Sequence, residues 1–74
     1  MDEQTIKTRL LAENDEFRNV HEQHQKYEQE LDRYKNKSFL TDEESMRMKE
    51  IKLKKLSLKD RMYAMMADFR KSFS

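Results

Sequence analysis

The chain has 74 residues, a formal net charge of +1, and 42% charged against 35% hydrophobic residues, with no Gly, Pro or Cys. These values exclude a thick core, a disulfide staple and a Cys-based metal site, and they deprive tight β-turns of their usual residues. No apolar run is long enough for a membrane span or a signal-peptide core, so a cytoplasmic protein is expected.

A heptad stripe opens the chain. Ile6, Leu10, Glu13, Phe17, Val20, His24, Tyr27, Leu31 and Tyr34 step by four and three residues in one register. That rhythm keeps them on one side of a helix and calls for a partner helix. The spacing predicts helix 1 over about residues 4–35. Asn14-Asp15-Glu16 offers an alternative start inside this stretch, which would leave a short, kinked or frayed N-terminal helix. Glu13 then sits where the stripe is interrupted and reaches water, toward a base of helix 2.

The periodicity stops after Tyr34. A turn is expected over residues 36–41, with Asn36 in the left-handed conformation that Gly would otherwise supply. Thr41 followed by Glu44 is a capping-box signature, and Asp42 and Glu43 add negative charge at the positive end of a helix dipole. Helix 2 is expected over about residues 42–70, with Ser72–Ser74 frayed. A connection this short joins antiparallel neighbours.

Helix 2 has two apolar stripes. Met48, Ile51, Leu58, Met62, Met65, Met66 and Phe69 share one face, whereas Leu53, Leu56, Tyr63 and Ala67 lie nearly opposite, with Met46 at the edge. Helix 1 can cover only the first. The expected seam is Phe17, Val20, His24, Tyr27 and Leu31 against Ile51, Leu58 and Met62, placing Tyr27 near Ile51, Val20 near Leu58, Leu10 near Met66 or Phe69, and His24 near residues 53–55. Met62, Met65, Met66, Phe69 and Phe73 would close the open end against Ile6 and Leu10. Leu53, Leu56, Tyr63 and Ala67 are left for self-association into a helical bundle, since a lone hairpin of this size is poorly stabilised.

Charge supports an antiparallel arrangement. Residues 1–37 hold nine acids and seven bases, and residues 38–74 hold six acids and nine bases. Halves of opposite sign attract, within the limits set by salt screening. Same-helix pairs Glu3–Lys7, Glu22–Lys26 and Glu50–Lys54 would support the helices by a few tenths of a kcal/mol each.

Two blocks resemble the YdcH-like family of small bacterial proteins, whose function is not established. The first is Glu13-Asn14-Asp15-Glu16-Phe17 with Val20, His24, Tyr27, Glu30 and Leu31. The second is Ile51-Lys52-Leu53-Lys54-Lys55-Leu56-Ser57-Leu58-Lys59-Asp60-Arg61-Met62. Tyr27 and Arg61 depart from the family pattern, where Leu and an acid are common. The resemblance implies a helical hairpin with a tendency to self-associate, and it implies no activity, cofactor or catalytic residue.

Chemistry-bearing motifs are sparse. His21 and His24 are three apart, not the four of a zinc-protease helix, and His24 reads as a polar seam residue that sets register and could make association pH-sensitive. There is no Gly-rich phosphate loop and no Cys nucleophile. Ser57 has no neighbouring His in its segment, and a thin hairpin offers no concavity of ligand-site size. Lys49, Lys52, Lys55 and Lys59 gather on one side of helix 2 as a possible anion contact, without interleaved aromatics. The expectation is a single all-α domain over residues 1–74, an antiparallel two-helix hairpin of coiled-coil type. It would act without enzymatic chemistry, metal or cofactor, through self-association and helix–helix contact with a protein partner. The alternative is weak association with nucleic acid through the basic face of helix 2.

Overall fold

A computed structural model describes residues 2–73. The chain folds into three helices, α1 (Glu3–Glu13), α2 (Asp15–Lys35) and α3 (Asp42–Lys71). The expected first helix is thus two helices, and the two-helix hairpin becomes a hairpin with a third helix packed across its open end. The molecule is elongated, 49 × 20 × 16 Å.

Asn14 causes the break. Its backbone is extended, at φ −124° and ψ 111°, so the helical path stops there. Its N–H still closes α1 by donating to the Leu10 carbonyl at 2.9 Å, and its side-chain oxygen accepts from the Phe17 N–H at 2.9 Å to start α2. One residue therefore ends one helix and caps the next. Arg18 reinforces the joint. Its guanidinium donates to the Leu11 and Ala12 carbonyls, left open at the end of α1, at 2.9 and 3.2 Å, and to Asp15 at 2.9 Å. Glu13 ends α1 exposed, paired with Arg9 of its own helix at 3.3 Å and not with a base of α3.

The second turn follows the expected limits, residues 36–41, by a different route. Asn36 is right-handed at φ −85° and ψ −3°, and no non-Gly residue among those described has positive φ. The Lys37 N–H donates to the Tyr34 carbonyl at 3.1 Å, which tightens the last turn of α2 without a left-handed residue. Both halves of the Thr41–Glu44 capping box form, each bond at 3.1 Å. Lys37 also pairs with Glu44, tying the end of α2 to the start of α3. At the far end Ser72 caps α3, its N–H donating to the Asp68 and Phe69 carbonyls at 3.3 and 3.2 Å, while Ser74 lies outside the described residues.

The core sits at the open end. Ile6, Leu10, Phe17, Val20, Met62 and Met66 form one buried cluster, with Leu11, Leu58, Met65 and Phe69 packed against it. Leu31 and Ile51 are buried nearer the turn. Of the expected seam, Phe17, Val20, Leu31, Ile51 and Met62 are buried, and His24, Tyr27 and Leu58 are half-buried. Phe73 stacks on Phe69 with ring centroids 4.8 Å apart and remains largely exposed, with Arg9 over both rings at 5.4–5.5 Å.

Acids of α2 meet bases of α3. Arg47 donates to both Glu30 oxygens at 2.7 and 3.0 Å, Lys55 to Glu28 at 3.0 Å, and Arg61 to Glu16. The Glu30 and Glu16 pairs are separated by fourteen positions on each helix, which fixes an antiparallel register. Of the same-helix pairs expected, Glu50–Lys54 forms at 2.9 Å. Glu3–Lys7 and Glu22–Lys26 do not come within salt-bridge distance.

Candidate surfaces: a basic groove and an uncovered helix face

Where α1 crosses the hairpin, the three helices leave a groove of about 540 Å³. This corrects the expectation that so thin a molecule has no concavity of ligand-site size, roughly 300–1,000 Å³. The groove arises from the joint at Asn14, which folds α1 across the hairpin and supplies a third wall, Glu3 and Lys7. Phe17, Met62 and Met66 contribute buried apolar surface to it, and Leu56 and Tyr63 contribute exposed apolar surface. His21, His24 and Glu28 come from α2, and Lys52, Lys55 and Lys59 from α3.

Three of the four lysines expected to contact anions thus share one concavity, and Lys49 stands apart from it. Lys7 is a fourth base there that the spacing of α3 could not reveal. Lys59 lies 5.9 Å from the centre of the Tyr63 ring, so an aromatic does accompany the basic cluster. Lys55 is engaged by Glu28, whose carboxyl its ammonium holds below the usual carboxylate range.

His24 lies on the groove wall and not in a closed seam. Burial lowers its pKa first of all; Glu28 opposes this, while Lys55, His21 and Lys59 add to it. The nearby bases are Lys55, at the end of the expected 53–55 stretch, and Lys59 one turn beyond it. Tyr27 lies 5.9 Å from the Lys54 ammonium and lines a shallow pocket with Leu58. Among the described residues, no three His, Cys, Asp or Glu side chains gather as metal ligands, and no helix is long and apolar enough to cross a membrane.

The other face of α3 is bare. Leu53 is 70% exposed, Leu56 56%, Tyr63 48% and Met46 71%, and Ala67 is exposed beside them. These residues follow one helix over several turns. In this chain α1 and α2 both pack on the first stripe, with Ile51, Met62 and Met66, so nothing remains to cover the second. Phe39, at 79%, adds an exposed aromatic at the turn.

Comparison with known proteins gives one family. Residues 17–66 match the family described as "Protein of unknown function (DUF465)". This span covers both blocks of the resemblance from Phe17 onward, with α1 outside it. No curated protein and no solved structure matches the chain.

Proposed function

Because the chain belongs to the YdcH-like family of small proteins of unknown function, we propose from its own surfaces that it is a non-enzymatic helix-pairing module. It self-associates through the second stripe of α3, Leu53, Leu56, Tyr63 and Ala67, and can present the same stripe to a helix of another protein. The observation that supports this is the row of exposed apolar side chains, Met46, Leu53, Leu56 and Tyr63, on a helix whose opposite face is buried. Soluble monomers rarely leave such a row uncovered, and a helix pairing along it removes the row from water at roughly 25 cal/mol per Å².

Sedimentation velocity from low to high micromolar concentration tests the reading. The expected result is a concentration-dependent shift to a larger species. Leu56→Glu should abolish the shift while circular dichroism retains the helical signal. A chain that stays monomeric throughout overturns the proposal.

A second reading has its own support. The gathering of Lys7, Lys52, Lys55 and Lys59 around the groove favours weak contact with a polyanion such as nucleic acid. Electrophoretic shift with a short RNA or DNA fragment is expected at low salt and lost as salt rises. No shift at low salt dismisses it.

A further inference from the structure

Met46, Lys49, Leu53, Leu56, Asp60 and Tyr63 repeat at intervals of three and four along the bare face of α3, the spacing of a coiled-coil seam. All six are exposed. Two are charged and of opposite sign. Neither has a salt-bridge partner among the described residues, nor do Lys52 and Lys59 beside them, whereas Glu50, Lys54, Lys55 and Arg61 do. A charged residue at a seam position weakens pairing unless the partner supplies its complement, so the two charges restrict how a second helix can lie.

We propose that the occupant of this face is a second copy of the chain, with the two α3 helices antiparallel and the two-fold axis passing between Leu53 and Leu56. This rests on the self-association proposed above and adds its orientation and register. About that axis, Leu53 of each copy faces Leu56 of the other. One step outward, each Lys49 faces the other copy's Asp60, and beyond that each Met46 faces Tyr63. Every apolar seam residue from Met46 to Tyr63 meets an apolar one, and both charges are matched twice; at the margin Ala67 meets Asp42 at the exposed start of α3. A parallel pairing in register sets Lys49 on Lys49 and Asp60 on Asp60, repulsive at both levels. Sliding the antiparallel pair by one heptad one way sets Lys49 against Ala67 and Asp60 against Leu56, and the other way sets Lys49 against Leu53 and Asp60 against Asp42, so neither charge is matched. The antiparallel pair has its own cost, because Lys52 and Lys59 of the two copies share one edge of the seam. Salt near 0.15 M shortens the reach of that repulsion to about 8 Å.

The test is sedimentation equilibrium of the full chain at that salt, with four proteins: wild type, Lys49→Glu, Asp60→Lys, and the double variant. The wild type dimerises. Each single change places like charges together at both symmetry-related positions and raises the dissociation constant about tenfold or more. The double variant restores the opposite-sign contacts and returns to the wild-type range. Both substituted positions are exposed, and circular dichroism confirms that the helices persist. If the wild type dimerises and the single changes leave its dissociation constant unaltered, or if the double variant stays as weak as the singles, the antiparallel register is overturned and self-association stands. If the wild type is monomeric, self-association itself fails and this inference with it.

Discussion

The two ends of the molecule are held differently. At the open end three helices bury Ile6, Leu10, Phe17, Val20, Met62 and Met66 together. At the turn only two helices meet. Leu31 and Ile51 are buried there, flanked by Arg47–Glu30 and Lys37–Glu44, while Phe39 and Met46 stand in water. Apolar burial is non-directional and supplies most of the stability, whereas exposed ion pairs add little energy but fix which residues face each other. The open end therefore provides the hold, and the turn end provides the alignment.

Breaking the open end should have the largest effect. Phe17 is fully buried, and Phe17→Ala should cost about 3–5 kcal/mol. Domains of this size hold on the order of 5–15 kcal/mol at most, so a thermal melt should show a chain largely unfolded at moderate temperature. Ile51→Ala should cost about 2–5 kcal/mol. Its effect on amide exchange should concentrate at residues 28–51, with the amides around Leu10 and Met66 less affected. Asn14→Ala removes the cap shared by α1 and α2 and should cost about 1 kcal/mol, read as a lowered melting temperature.

Acid should act chiefly on the turn half. Hydrogen bonds from Lys55, Arg47, Lys37 and Lys54 hold Glu28, Glu30, Glu44 and Glu50 below their usual value of 4.5. These carboxylates bind protons more readily in the unfolded chain. Their contribution is present above about pH 4.5 and is lost as pH falls through the lower folded values. Exchange near the turn should quicken in that range before it does near Phe17, and Arg47→Ala should shrink the difference. The smallest effect belongs to His24, whose pKa lies below 6.5. The folded state favours the neutral ring, so stability present above pH 6.5 should fall slightly on acidification from there. His24→Gln should remove that slope.

Local signals were legible in the sequence. Thr41 and Glu44 are three residues apart and form their box whatever else packs nearby. The two stripes of α3 follow from helical geometry alone, and the opposite charge of the two halves anticipates acids of α2 meeting bases of α3. Features that need three bodies were not legible. The groove exists because α1 lies across the hairpin, and Lys7 joins Lys52, Lys55 and Lys59 only in that arrangement. Arg18 bonds carbonyls six and seven residues behind it, which an unbroken helix does not allow. At Asn14 two signals competed, a heptad register running straight through and a cap sequence; the cap prevailed because its side chain serves the Phe17 N–H while Arg18 serves the open carbonyls. Asn36 needs no left-handed conformation because the bond from the Lys37 N–H to the Tyr34 carbonyl closes α2 as well as a left-handed turn would.

The joint at Asn14 also sets a tolerance on chain length. Ile6 and Leu10 reach the cluster of Phe17 and Met66 across the break because the bend folds α1 back onto the hairpin. Adding or deleting a single residue within α1 between Leu10 and the joint would rotate Ile6 and Leu10 by about 100° about the helix axis relative to the joint. Ile6 and Leu10 would swing out of the core, and charged neighbours would swing in. A surface loop such as residues 36–41 can absorb an insertion; this bend must keep its residue count.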